Sequence, residues 1–375
     1  MTSNASDDAL RETRDMLAES ARRFAERGYG ADVRAASLAH PEGCLPGVWA
    51  QLAEMGWLAL AVPEDLGGFG GRAADLCAVA EPLGAAGLNE PFAEAGVRAP
   101  ALLAALPDPS DAVARLLAGS MAGELRLACI AASAARTWTA CQDGQITGRS
   151  DIVPGGAGAD AWLWARAEAG EVTLFALARD LPGLQARACT LVDGQRAVRL
   201  AAQSVTLPAP LWKGSTDAWR AAVARADALA LLTHSAMGVG AMRRARTLTQ
   251  DYLSTRRQFG QTVVRNQVVQ HRLVDLMVEI EEADALVQAT AERTDAGIDD
   301  PRWLAATGAT LAAAARHVWQ ETVQLHGAIG ITQECEAAPL VRRLALASVQ
   351  HGTEAHHLAR LADASLGPVP LHAFH

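Results

Sequence analysis

The stretch Tyr252-Leu-Ser-Thr-Arg-Arg-Gln-Phe-Gly-Gln261 separates two helical segments in the C-terminal part of the sequence. One helical pattern ends at two arginines and a glycine, and another begins near Gln267. The guanidinium of Arg256 can hold a phosphate through two parallel N–H donors, because it is planar and charged. Gln258 and Gln267 can donate to a polar ligand, and Phe259 offers a ring face. The alternative interpretation is a helix C-cap with exposed arginines.

A second stretch, Gln324-Leu-His-Gly-Ala-Ile-Gly330, has a similar character. A helix reaches Gly327, and the small residues there allow backbone N–H groups to approach a ligand closely. A helix C-cap is again the alternative, so neither stretch decides a function when it is taken alone.

The sequence from about residue 215 onward is helical in long pieces. After Gln267, apolar residues recur at steps of four, three, four and three, at Val269, Leu273, Leu276, Ile280 and Ala283. This spacing is typical of the seam of a helical bundle. The most apolar helical run, around Ala228 to Met242, is shorter than the ~20 apolar residues of a membrane span. We therefore expect a core helix there and no membrane insertion.

The sequence upstream of the bundle divides into a helical part and a strand-like part. Pro46 is expected near a helix start, and the glycine-rich run Val62–Gly71 is expected to be a loop. Hairpin turn signals at Gln142–Gln145 and Val192–Gln195 accompany short strand-like runs. The fold class is mostly α with a central β domain. Its predicted domains are an N-terminal helical domain (1–122), a middle antiparallel β domain (123–213) and a C-terminal four-helix bundle (214–375).

Composition excludes several classes of function. The 375 residues carry a net charge of -9, which argues against a nucleic-acid partner, and no basic run suggests an anionic membrane surface. The six cysteines are scattered without a CxxC pair, so neither a zinc site nor a redox dithiol is indicated. A reduced compartment, and hence a cytoplasmic location, is the expectation. The acidic, polar start is not a secretory signal.

The motifs together resemble the acyl-CoA dehydrogenase family, and the resemblance covers nearly the whole chain. The resemblance rests on four sets of motifs, which follow the order of the chain. They are Trp49-x-x-Leu-x-x-x-Gly56 with Val62-Pro-Glu-x-x-Gly-Gly68, Thr139-Ala140 with Gly148 and Ala159-Asp160, Arg256-Arg-Gln-Phe-Gly260 with Gln267, and Gln324-x-x-Gly-Ala-x-Gly330. The last two are specific in combination. The fold that the resemblance implies has the helical, β and bundle domains in the order given above.

The resemblance implies an FAD-dependent α,β-dehydrogenation of an acyl-CoA thioester. In the family a base removes the α-proton, the β-hydride passes to the flavin, and the electrons leave through a partner such as an electron-transferring flavoprotein. The arginine and glutamine motifs reach the FAD of the neighbouring subunit. The matching candidate contacts here are Arg256, Gln258, Phe259, Val263, Gln267, Gln324, Gly327 and Ala328. Thr353 matches a further threonine, which touches flavin in the family, and it is also a candidate cofactor contact.

The positions that carry the base in the family lack a carboxylate here. The usual glutamate belongs to a Tyr-Glu-Gly-Thr motif, which matches Val349-Gln-His-Gly-Thr353 and places His351 at the base position. Some members carry the glutamate on the first bundle helix, where this chain has Ala230 and the nearest acid is Asp227. The flavin-ring segment, Leu127–Arg136, has mostly alanine in place of the family's polar residues, and it retains Ser133 and Arg136, with Thr139 beyond.

Three histidines lie within seven residues of this region, at positions 351, 356 and 357. A two-histidine metal site on a helix needs a spacing of four, which none of these pairs has. We expect His356 and His357 to lie on a solvated or subunit-facing helix surface, and we expect no metal.

The pattern of retained and lost motifs leaves several functions open. Motifs that serve the neighbour's FAD are kept, which favours a non-catalytic partner of a second acyl-CoA dehydrogenase-like chain in a hetero-oligomer. Alternatively, a homodimer or homotetramer could be active with His351 as the base. A flavin monooxygenase or oxidase on the same fold, or a binding protein without flavin, are further alternatives.

Overall fold

The computed structural model describes residues 2–130, 138–140, 144–258, 260–298, 300–332 and 334–366. These residues form two compact units. The first unit draws on the described residues within 1–30, 73–88 and 231–375, and the second on those within 31–72 and 89–230. Helices give way to strands after Met121, and strands to helix at Thr216. The domain boundaries at 122 and 213 stay a prediction.

Eleven α-helices occur in the described residues. In chain order they are α1 (Thr2–Arg27), α2 (Ala31–Ala39), α3 (Pro46–Glu54), α4 (Ala73–Ala85), α5 (Ala99–Ala104), α6 (Asp111–Met121), α7 (Thr216–Thr255), α8 (Gln267–Asp295), α9 (Pro301–His326), α10 (Ala338–Ala347) and α11 (Glu354–Leu366). Pro46 and Pro301 stand in the first turn of α3 and α9, where a missing N–H costs nothing. Within the described ranges, no helix combines the length and apolar character that a membrane span requires.

The predicted bundle seam is confirmed on α8. Val269, Leu276, Ile280 and Ala283 are buried, and Leu273 is half-buried. On α7, every residue from 228 to 242 is buried, as expected for a core helix. In the C-terminal part, five helices, α7 to α11, follow one another in the described residues after Ser215.

Helices α4 and α7 cross at very close range within the first unit. A Cβ added at Gly240 would lie 1.9 Å from the carbonyl oxygen of Glu81, and one added at Gly84 would lie 2.0 Å from that of Met237. Only glycine permits this approach. Arg243 on α7 binds Glu81 and also Asp284 of α8, the latter at 2.8 Å. Backbone packing and an ion-pair cluster therefore fix α4 against both bundle helices.

The second unit contains most of the strands. They are β1 (Leu127–Cys129), β2 (Trp138–Ala140), β3 (Gln145–Arg149), β4 (Val153–Pro154), β5 (Ala161–Glu168), β6 (Glu171–Ala178), β7 (Leu184–Thr190), β8 (Arg196–Thr206) and β9 (Trp212–Ser215). One sheet has the order β1-β5-β6-β9, and the other has β2-β3-β8-β4 with β7 also on β8.

The β domain is mixed rather than purely antiparallel. The pairs β2–β3, β5–β6 and β7–β8 are antiparallel hairpins, as the sequence predicts. However, β1 pairs with β5 in parallel, with Leu127 opposite Ala161. A pairing between strands 34 positions apart leaves no turn signal in the sequence, so local patterns predict only the antiparallel hairpins. A core that includes Trp162, Trp164 and Phe175 lies in this domain.

Candidate active site

The arginine stretch forms a small hairpin rather than a simple helix cap. After α7 ends at Thr255, β10 (Arg257–Gln258) pairs antiparallel with β11 (Gln261–Thr262). Gly260 has a φ of +81°, which favours glycine at this position. The backbone N–H of Val263 donates to the carbonyl of Arg256 at 2.9 Å and closes the turn. The structure therefore presents Arg256 and Gln258 on an ordered loop, while Phe259 lies outside the described residues.

The polar side chains of both motifs are exposed. Arg256, Gln258, Gln267 and Gln324 make no side-chain hydrogen bond or ion pair with any other described residue. Gly327 ends α9 with a φ of +68°, and a Cβ built there would meet nothing within 4 Å. Ala328 is exposed and Val263 is half-buried. Exposed donors without a described partner, next to a glycine with free space around it, suit an external ligand with several acceptor oxygens.

A ring contact links the two motifs. Tyr252 on the last turns of α7 stacks on His326 at the end of α9, with ring centroids 4.7 Å apart and an interplanar angle of 18°. His326 is buried, and its Nδ1 lies 2.8 Å from the carbonyl oxygen of Thr322. The structure thus brings together the Arg256 and Gln324 turns, which are about 70 residues apart in sequence.

The donor set of these two turns suits the phosphates and amide-like groups of FAD. Arg256 supplies a charged, bidentate donor, and the three glutamines supply neutral amide donors. Because these side chains have no partner among the described residues, they are free to face a cofactor held by another chain. The residues present therefore fit the group that the sequence resemblance implies.

His351 lies in the turn between α10 and α11 and contacts a second histidine. Its ring centroid is 4.3 Å from that of His234 on α7, with an interplanar angle of 51°. His234 is buried. It stands one helical turn after Ala230, so it shares a face with the alternative base position. Sequence reasoning missed His234, although its spacing of four from Ala230 was a signal that could have identified it.

Thr353 has a structural role at the start of α11. Its side-chain oxygen accepts from the backbone N–H of His356 at 3.2 Å, and its carbonyl accepts from that of His357 at 3.1 Å. This is the arrangement of a helix N-cap. A contact between Thr353 and flavin remains a prediction.

The expectation that His356 and His357 share an exposed surface is wrong for His357. His356 is exposed, but His357 is 2% exposed and packs against Gly308 of α9. Burial, together with the positive charge of His356 and Arg360, lowers the pKa of His357 to about 4. Among the described residues, no group of three or more His, Cys, Asp or Glu side chains could hold a metal ion.

The acid nearest Ala230 is engaged in an ion pair. Arg98 donates from both Nε and Nη2 to Asp227 Oδ1 at 2.8 Å, and its Nη1 lies 3.6 Å from Glu94. Cys129 is close to this cluster, and burial raises the pKa of its thiol to about 12. The Cys129 thiol therefore stays protonated near neutral pH and is not suited to act as a base. Ser133 and Arg136 of the flavin-ring segment lie outside the described residues, and so does the side chain of Thr139.

Two family models match the sequence. The model described as "Acyl-CoA dehydrogenase, N-terminal domain" matches residues 11–103, and "Acyl-CoA dehydrogenase, C-terminal domain" matches residues 219–366. Acyl-CoA dehydrogenase IpdE2 of Mycobacterium tuberculosis is 30% identical over 325 residues, which cover 86% of this chain and 88% of that protein. Acyl-CoA dehydrogenase FadE12 of the same species is 27% identical over 340 residues, covering 85% and 88%.

Solved structures share the fold across almost the whole chain. A variant of the Tcur3481–Tcur3483 steroid ACAD superposes with a TM-score of 0.83 at 25% identity, covering 95% of this chain and 98% of that one. The ChsE4–ChsE5 complex of Mycobacterium tuberculosis superposes with a TM-score of 0.84 at 22% identity, covering 96% and 98%. At this identity the second likeness concerns the fold alone.

Proposed function

Because this chain belongs to the acyl-CoA dehydrogenase family, whose members are FAD-dependent oxidoreductases that act on CH–CH bonds, we propose that it completes the FAD site of a neighbouring subunit in the α,β-dehydrogenation of an acyl-CoA thioester. One observation carries this proposal. The Arg256 and Gln324 turns stand side by side, and their polar side chains are exposed and have no partner among the described residues.

The chain's own residues would bind and orient the cofactor. Arg256 would neutralise phosphate charge, and Gln258, Gln267 and Gln324 would donate to further polar atoms. When bound, FAD supplies the acceptor for the hydride that leaves the β-carbon. The backbone at Gly327 could come close to the cofactor, because glycine has no side chain and the space beside it is free of other atoms.

We further infer that the neighbouring subunit is a second acyl-CoA dehydrogenase-like chain that carries the base. The positions matching the family's base hold His351 and Ala230, and Asp227 is held by Arg98. The structural relative at 25% identity bears a name that pairs two proteins, Tcur3481 and Tcur3483. Val274, Met277 and Val278 form an exposed apolar patch on α8, which suits a subunit contact. An electron-transferring flavoprotein would then accept the electrons.

A second candidate is supported by the histidine pair. In this version His351 takes the α-proton on a neutral ring nitrogen, and the chain is active as a homo-oligomer. His234 would fix the orientation of the His351 ring through their 4.3 Å contact. A base needs such positioning, because proton transfer requires a defined geometry at the substrate.

The visible spectrum near 450 nm tests the proposal. The tagged chain is purified from its native cells and, separately, after expression alone, and each sample is measured before and after an acyl-CoA is added. We expect flavin absorbance that bleaches only when a second acyl-CoA dehydrogenase-like chain is present. Arg256→Gln should remove most of the bound flavin from that complex, whereas the exposed neighbour Arg265→Gln should retain it.

Other outcomes would contradict this assignment. A lone chain that is fully loaded with flavin and bleached by an acyl-CoA would support the homo-oligomer with His351 as the base. Oxygen consumption without another electron acceptor would favour a flavin oxidase or monooxygenase. A chain without flavin in either sample would exclude the whole proposal.

A further inference from the structure

Three arginines share the outer face of the five-stranded sheet in the second unit. On β8, Val198, Leu200 and Ala202 are buried, so the alternate residues, which include Arg199, face outward. Arg187 of β7 is directly opposite Arg199. Arg149 of β3 is opposite Ala201, two positions further along β8, and therefore lies on the same face.

This arrangement is unfavourable without a compensating anion. Residues directly opposite in an antiparallel pair have Cβ atoms about 5 Å apart, and like charges at that separation repel. Arg187 and Arg199 stand in this relation, and Arg149 is the diagonal neighbour. None of the three forms an ion pair or side-chain hydrogen bond with another described residue.

Other arginines of the same unit are paired with acids. Arg126 and Arg179 both bind Glu42, the latter at 2.8 Å, and Arg98 binds Asp227 at 2.8 Å. Single exposed arginines without an ion pair to a described residue, such as Arg115 and Arg225, also occur in this unit, but the outer face of the sheet brings three together. Their concentration at one place in a chain with a net charge of -9 is a local feature that needs its own explanation.

The three arginines line a groove of about 800 Å³. Asp151 also lines it, and so the arginines leave an excess of positive charge. Ser150 fixes the end of β3 against β8. Its N–H donates to the carbonyl of Leu200 at 2.8 Å, and its hydroxyl accepts from the N–H of Leu200 at 2.9 Å. Arg149 and Asp151 are thus held on an ordered backbone at the groove.

We propose that this groove binds a phosphate-bearing nucleotide through its phosphate oxygens. Guanidinium groups match phosphate oxygens with pairs of N–H donors, and three of them would replace mutual repulsion by attraction to a shared anion. The groove is much larger than one phosphate ion and has the volume of a site for a small organic ligand. This site is separate from the Arg256 and Gln324 turns, and the proposal does not depend on dehydrogenase activity.

The test compares two charge-matched double variants of the full chain. The groove variant combines Arg187→Gln with Arg199→Gln and removes the opposed pair. The control combines Arg115→Gln with Arg225→Gln, two exposed arginines of the same unit that make no ion pair with a described residue. Calorimetric titration uses inorganic phosphate, ADP and adenosine in low-salt, phosphate-free buffer, because screening weakens exposed charges. Arg256→Gln is titrated in parallel to identify binding of ADP at the FAD-contacting turns.

We expect the groove variant to bind ADP at least about tenfold more weakly than the wild type, since charge-assisted hydrogen bonds are lost. The charge-matched control should bind as the wild type does, and adenosine should not bind at the groove. Phosphate that binds as tightly as ADP would identify free phosphate as the ligand, and tighter ADP binding would identify a nucleotide.

Thermal unfolding provides a second measurement. ADP or phosphate should raise the unfolding temperature of the wild type and the control, but not that of the groove variant. Without any anion, the groove variant should be at least as stable as the wild type, because a repulsive pair has been removed. Equal anion responses in the groove variant and the control would overturn the proposal.

Discussion

The turn at Arg256 and the turn at His351 both lie in stretches that resemble motifs of the acyl-CoA dehydrogenase family, yet their surroundings differ. Arg256 is exposed and has no partner among the described residues. His351 is half-buried and lies against the buried ring of His234. A side chain kept exposed is available to another chain, whereas one packed inside is constrained by its own. The comparison therefore separates residues directed outward from residues that belong to the interior of this subunit.

Gly240→Ala should disrupt the interior packing around His234, which is the buried side of this comparison. The added Cβ would lie 1.9 Å from the Glu81 carbonyl oxygen, so α4 and α7 must separate, and α7 carries His234. We expect a loss of about 3 kcal/mol in the free energy of unfolding, measured by denaturant titration. Gly47→Ala is the control, because its Cβ would meet no atom within 4 Å. A Gly240→Ala protein with an unchanged free energy of unfolding would show that α4 and α7 pack less closely than described.

The buried His357 should make stability depend on pH. Burial and nearby positive charge lower its pKa from 6.5 to about 4. Between these values the unfolded chain binds a proton that the folded chain excludes, so stability is fully present above pH 6.5 and falls as the pH drops toward 4. The effect should reach at most about 3 kcal/mol. Unfolding titrations at several pH values should show a weaker slope in His357→Gln and an unchanged one in the exposed His271→Gln.

Tyr252→Leu should weaken the link between the two outward-facing turns. It removes the stack on His326, whose ring centroid is 4.7 Å away. The expected loss of stability is about 1 kcal/mol, with a parallel fall in bound flavin in the two-chain complex. Tyr252→Phe keeps the ring and should behave almost as the wild type. If both variants retain flavin equally, the stack does not position the turns.

His351→Gln should have the smallest effect under the proposed function. If the partner chain carries the base, turnover of the two-chain complex should change by less than about twofold, equivalent to about 0.4 kcal/mol. The rate of acyl-CoA-dependent flavin bleaching measures this. A fall of more than about tenfold would instead identify His351 as the working base. His351→Glu sharpens the result, since new activity in the lone chain would show that only the carboxylate was missing.

Local patterns in the sequence predicted the elements that depend on neighbouring residues. The seam from Val269 to Ala283 and the hairpins at 142–145 and 192–195 are such cases, since helix periodicity and turn chemistry are encoded within a few residues. The β2–β3 and β7–β8 pairs confirm those hairpins.

Features that depend on distant residues were not predicted. The parallel β1–β5 pair, the burial of His357 under Gly308 and the contact between His234 and His351 each join segments far apart in the chain. Periodicity shows on which face of a helix or strand a residue lies, but it does not show which other element covers that face. The candidate site was therefore predicted as a set of motifs, while the contact between His234 and His351 became visible only in three dimensions.

The exposure of the Arg256 and Gln324 turns has a consequence for assembly under the proposed function. A cofactor that needs donors from two chains binds tightly only to the associated pair, so cofactor binding and subunit association must strengthen each other by the same factor. Dilution would then release FAD, and added FAD would oppose dissociation. Bound flavin would stabilise the contact between the subunits in addition to its redox role. The supply of flavin in the cell would then set how much of the assembled enzyme exists.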